Sequence, residues 1–297
     1  VKSIEYLSDP LLSPLFWPGV LAGLAMALIA AGLSVFVVVK RLSFIGQGIS
    51  HAAFGGVGLA AILGVTARVT QAGLEAAPFH GIPQFLVIAG FCLAAGLLVG
   101  LIADKDATRE DAAIGIILVA SMAVGGILLR KAKTGLEWES FLFGTLYQVP
   151  PADAVMTWVL AGAVLLVLWA TRRSMTFWAF DETASPAFGV SPRAMKLILL
   201  TLLSISTVAA MKLAGVVLAT AILVLPGAIA LQLSTRLYAV FALSFASALL
   251  GVLVGIVLSF ELDWSPGPAI VVVLTSLFVM AKVVRAVRGR QGTHGTA

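Results

Sequence analysis

Long stretches of this chain carry almost no charge, and each ends at basic or acidic residues. The first runs over residues 15–39 and stops at Lys40-Arg41. The second lies within 42–67 before Arg68, the third is 83–103 before Asp104, and the fourth is 112–129 between Asp111 and Arg130. The fifth, 154–171, precedes Arg172-Arg173. A shorter sixth is predicted over 197–211, and Lys212 separates it from a seventh over 213–235, which Pro226-Gly227 interrupts. The eighth is 237–260, and the ninth, 268–281, extends into the basic stretch 282–290. Runs near 20 residues suit a hydrocarbon core of about 30 Å. They are continuous rather than alternating, which selects helices over the strands of a barrel. The expected fold is all-α, a polytopic membrane helix bundle of eight to nine transmembrane helices. Residues 1–297 are expected to form a single transmembrane domain with no large soluble domain.

Composition agrees with lipid as the solvent. Hydrophobic residues make up 60% of the chain, charged residues only 11%, and mean hydropathy is +1.08. A soluble domain is closer to half apolar and a quarter charged. The net charge of +5 would raise the question of nucleic acid in a soluble protein. Here the bases sit at span ends, and no basic patch is interleaved with aromatics, so no nucleic-acid partner is expected. With nine spans and residue 1 outside, 13 of the 19 Lys and Arg fall on the inner side, as the positive-inside rule requires. The cluster Arg130, Lys131 and Lys133 is a local exception. The lone Cys92 excludes an intramolecular disulfide and a Cys-based metal cluster, and reads as a small packed residue. Residues 1–14 hold Glu5, Asp9, Pro10 and Pro14 rather than a basic region, and the first apolar run is too long for a signal sequence. A retained first span is expected.

Motifs for soluble chemistry are missing. No G-x-x-x-x-G-K-[ST] occurs, so the chain is not expected to hydrolyse ATP by itself. No H-E-x-x-H or G-x-S-x-G occurs either. The spans hold small-residue pairs: Gly19/Gly23, Gly96/Gly100 and Gly251/Gly255. These serve close helix packing or line a pathway. Pro226-Gly227 reads as a structural kink or as the interrupted helix of a transport site.

Two stretches carry candidate chemistry. His51 lies inside the second span, and an ionisable residue there is a functional candidate. Gln47 precedes it by four residues and shares its helix face. His51 is either a metal ligand or a packed, hydrogen-bonded residue. His80 and His294 fall in a loop and in the basic end region and read as solvated. The segment 180–192 joins two spans on the inner face and is too polar for lipid. Gly189 and Pro192 break it into a short helix and a turn. It is either an ordinary loop or a docking element for a cytoplasmic partner.

In these stretches and others the chain resembles the permease subunits of ABC transporters that import zinc, manganese or iron. The likeness covers nearly the whole chain. Residues 32–60, with Val35-Phe36-Val37-Val38-Val39-Lys40-Arg41-Leu42-Ser43-Phe44-Ile45-Gly46 and then Ile49-Ser50-His51-Ala52-Ala53, look like the family's first-to-second span signature. Glu110-Asp111-Ala112-Ala113-Ile114-Gly115 resembles its Glu-Asp-x-Ala-Ile-Gly segment, and Leu142-Phe143-Gly144 its Leu-Phe-Gly turn. Phe180–Val190 resembles its cytoplasmic coupling segment, and Gly215–Pro226 and Gly267-Pro268-Ala269-Ile270 two later segments. The family often has Asp, in an Asp-x-x-Ser-His pattern, where this chain has Gln47.

The resemblance implies a multi-pass protein of the cytoplasmic (inner) cell membrane and the rest of a transport complex. Two permeases would pair about a two-fold axis. Cytoplasmic ATPase subunits would dock at Phe180, Asp181, Ala184, Phe188, Gly189 and Val190, and an extracytoplasmic solute-binding protein would deliver the metal. ATP would act on the partner subunit, and no cofactor would be held permanently. His51 and Gln47 would form the metal path. Imidazole with amide oxygen favours zinc, while manganese prefers more oxygen ligands, so manganese or iron is the alternative cargo. A stand-alone secondary transporter or channel would show inverted repeats and intramembrane carboxylates. A membrane enzyme would need a catalytic constellation at depth. None of these features is seen.

Overall fold

The computed structural model describes residues 13–65, 81–102, 107–132, 144, 146 and 149–293. These form α1 (Ser13–Val39), α2 (Ser43–Ile62), α3 (Ile82–Ile102), α4 (Ala107–Ala132) and α5 (Pro151–Phe180). A 3₁₀ turn (Ser185–Phe188) is followed by α6 (Pro192–Ile222), α7 (Leu225–Leu233), α8 (Leu237–Leu262) and α9 (Pro266–Thr293). Among the described residues eight stretches are long and apolar enough to cross a membrane, with α6 and α7 counted together as one stretch of 42 residues. At about 1.5 Å per residue that stretch reaches about twice a hydrocarbon core of about 30 Å. Eight or nine crossings therefore turn on this one segment. Leu101, Ile116 and Val159 are each at least 65% exposed, a surface suited to lipid rather than water.

The chain forms two compact units. One comprises 1–40, 146–169 and 221–297. In it α8 packs on α1, α7 and α9. Gly251 and Gly255 admit Leu274 and Ile270 of α9, and Gly23 of α1 faces Val252 and Ile256 of α8. Ser244 Oγ donates to Ala31 O at 3.0 Å and lies 3.1 Å from Ser34 Oγ, so these buried hydroxyls are satisfied. The G-x-x-x-G pair on α8 thus serves bundle packing.

The other unit comprises 41–145 and 170–220. Here α2 is held by α3 and α4. Gly56 lies against Ile88 of α3, and Gly58 and Gly125 bring α2 and α4 together almost at backbone contact. A side chain at any of these glycines would separate the helices.

The sixth and seventh predicted spans differ from expectation. Lys212 does not end a helix, since α6 runs through it and bends at Gly215, where φ is 79° and ψ 172°. Glycine alone among the residues here enters that region freely. The interruption expected at Pro226-Gly227 is present, at residues 223–224 just before the proline. The helix stops at Ile222 and restarts at Leu225, with Pro226 in the first turn of α7. A first-turn N–H has no intrahelical partner, so proline loses nothing there.

Candidate functional site

On α2 most of the helix surface is buried. Besides its two ends and Leu59, the part left open is a stripe at spacings of three and four residues: Phe44 and Gln47 are exposed and His51 is half-buried. The neighbours are held in place. Ser50 Oγ donates to Gly46 O at 2.7 Å, and Cys92 Sγ lies 3.6 Å from Ile49 O. His51 Nδ1 is buried and has no hydrogen-bond partner. A packed structural histidine would normally satisfy that nitrogen, so the reading of His51 as merely hydrogen-bonded loses ground. Among the described residues no three of His, Cys, Asp and Glu gather to hold a metal. Cys92 is buried and free, as a small packed residue should be.

The segment after α5 is a folded knob. Asp181 N donates to Phe177 O at 2.9 Å, which closes the helix. Asp181 Oδ1 accepts from Ala184 N and from Thr183 Oγ1, both at 2.9 Å. These two donors, the Ala184 N–H foremost, hold its carboxyl below the usual range. A lowered value means that the charged turn is intact above the ordinary carboxylate range and is lost only as pH falls through the lowered pKa. Gly189 ends the 3₁₀ turn at φ 75°, and Val190 N donates to Ser185 O at 3.0 Å. Phe180 and Phe188 are 64% and 73% exposed. Phe188 stands edge-on to Phe177 with centroids 5.1 Å apart.

All the predicted coupling residues, Phe180, Asp181, Ala184, Phe188, Gly189 and Val190, fall within this one knob. Thr183, inside the predicted segment, and Phe177, ahead of it, belong to the knob too. The spacing of Asp181 to Thr183 and Ala184, typical of an Asx turn, was the available signal. Gly144, at φ 64°, lies directly on the Ala214-Gly215 backbone at the bend of α6. His80, His294 and 141–143 lie outside the described residues, as do the side chains of Glu110 and Asp111.

Among the described residues, eight long apolar stretches with exposed apolar side chains define a polytopic membrane protein. The chain belongs to the ABC 3 transport family, whose model matches residues 13–285, and this places it among the multi-pass permeases of metal-importing ABC transporters in the cytoplasmic membrane. It is 31% identical to the manganese transport system membrane protein MntB of Synechocystis sp. over 94% of this chain and 86% of that one. It is 26% identical to the chelated iron transport system membrane protein YfeD of Yersinia pestis, over 95% and 89%. Among solved structures it matches PsaBC from Streptococcus pneumoniae in complex with Fab, with TM-score 0.78 and 25% identity over 94% and 93% of the two chains.

Proposed function

We propose that the chain acts as one half of a two-fold permease pair that passes a divalent metal through a site built from two copies of His51 and Gln47. The observation that carries this is the buried, unpartnered Nδ1 of His51 beside the exposed Gln47 on the open stripe of α2. One imidazole and one amide oxygen make a weak half-site. Two halves about a two-fold axis would supply two nitrogens and two oxygens. Such a set can take a tetrahedral ion briefly and release it, which suits a conduit better than a store. The whole of 1–297 works here as one permease domain.

Two indications bear on the cargo, and they differ. Relatives are named for manganese and iron, whereas imidazole with amide oxygen suits zinc. We assign manganese or iron as the main cargo on the relatives, and zinc is the second reading on the donor set. The test is uptake by vesicles holding the full transport complex, with each metal supplied alone and in competition. Uptake of none of the three would end the proposal, and uptake of zinc alone would reverse the assignment.

ATP hydrolysis belongs to cytoplasmic ATPase subunits that dock on the Phe180–Val190 knob, and an extracytoplasmic solute-binding protein delivers the metal. The purified chain alone is expected to show no metal-stimulated ATPase activity. Asp181→Arg removes the acceptor that closes the knob, and Gly189→Trp places a large side chain at a left-handed position open to solvent. Both are expected to cut transport at least tenfold while ATPase subunits still hydrolyse ATP and the permease still inserts. Equal transport by either variant and the wild type would remove the knob from the coupling path.

A further inference from the structure

The end of α9 has a feature that metal passage does not use. This helix is 28 residues long, about 42 Å at about 1.5 Å per residue. The hydrocarbon core needs only about 20 residues. Counted from Pro266, the core is crossed by about Arg285, so Lys282–Arg288 straddle a membrane boundary. Their basic character puts that boundary on the cytoplasmic side.

At about 100° per residue, Lys282, Arg285 and Arg288 share one side of the helix. Val279, Met280, Val283, Val284 and Val287 share the other, and both sets are exposed. The basic side is also positioned. Arg285 Nη1 donates to Gln232 Oε1 at 2.9 Å, at the end of α7 in the same unit. This bond aims the guanidinium and leaves further N–H donors on it for an anion.

The positive-inside rule needs charge alone. It calls for neither a segregated face nor a guanidinium oriented by an amide. Counted from Pro266, residues 279–284 lie within the core, so the bases beside them stand at the level of the headgroups, where a soluble acidic partner would have to displace lipid to reach them. A phospholipid satisfies both sides, since acyl chains cover the valines and the headgroup phosphate meets the bases. We propose that this end of α9 binds an anionic phospholipid of the inner leaflet through Lys282, Arg285 and Arg288, with Gln232 orienting Arg285.

The test uses the full chain in nanodiscs of phosphatidylcholine mixed with phosphatidylglycerol, followed by native mass spectrometry of the lipid retained on release. The wild type retains phosphatidylglycerol in preference. The triple variant Lys282→Gln, Arg285→Gln, Arg288→Gln loses that preference by about a hundredfold, since each base near an anionic surface contributes about fivefold. Gln232→Leu lowers it in part. If the triple variant does not insert, Arg285→Gln alone gives the same comparison with a loss of about fivefold. Equal retention of the two lipids by the wild type overturns the proposal, as does a preference unchanged in the variants. Displacement of the lipid by an equal concentration of inorganic phosphate also overturns it, because the site would then take the anion without the lipid.

Discussion

Replacing His51 with alanine is expected to abolish measurable metal uptake while the transport complex still assembles. The side chain is half-buried and its Nδ1 has no partner, so its removal breaks no hydrogen bond of the bundle. On the proposed half-site, what it removes is the nitrogen ligand each copy would offer the ion. Loss of both imidazoles from a paired site leaves two amide oxygens, which are poor ligands for a first-row divalent ion. Uptake is expected to fall by about a hundredfold or more, because losing even a residue that only orients a ligand costs about 10–100-fold. The check is metal uptake by vesicles alongside the yield of intact complex by size exclusion. Gln47→Asp is the companion. It adds a carboxylate at a position exposed on the single chain, and on the proposed half-site the stronger oxygen donor is expected to shift selectivity towards manganese and slow release. Wild-type uptake by His51→Ala would make His51 a packing residue and end the half-site idea.

Gly227→Val is expected to prevent stable folding. A Cβ at Gly227 would fall on Ser34 O and Ser34 C of α1, and these are main-chain atoms that no rotamer change can move. Overpacking against flexible side chains costs about 1–3 kcal/mol, and main chain yields less, so about 3 kcal/mol or more is expected here. The contact lies beside the small core of Val35, Ala230 and Val240, so α1, α7 and α8 would loosen together. Thermal unfolding in detergent, followed by tryptophan fluorescence, provides the check. Gly162→Ala is the control, because nothing lies within 4 Å of a Cβ there. Unfolding of Gly227→Val at the wild-type temperature would show that α7 can move away from α1 at little cost.

The spans were legible because lipid imposes one rule on every residue inside it, and unbroken apolar runs therefore mark helices. Helix interruptions were harder to place. Lys212 looked like a break because charge usually marks a span end, yet the break is three residues later, where backbone freedom and not polarity decides. Pro226 was visible as a disruption, but its position within the first turn of α7 depends on where the helix restarts. Composition carries no signal for that. For the site, the spacing of Gln47 and His51 put them on one face, while the openness of that face follows from how α3 and α4 pack on the other sides of α2. In the knob, Phe180 and Phe188 were legible as parts of a polar turn. The edge-on contact of Phe188 with Phe177 was not, since it arises only when the turn folds back on α5.

The near-backbone approach of Gly58 and Gly125 has a consequence for how this helix pair is inherited. Where two helices meet main chain to main chain, the distance between them is set by peptide geometry, which every sequence shares. Lipid-facing residues on α4, such as Ile116 and Val119, can be exchanged for other apolar residues without shifting α2. A lineage can therefore drift over most of its surface while His51 stays in place, provided that these two positions remain glycine.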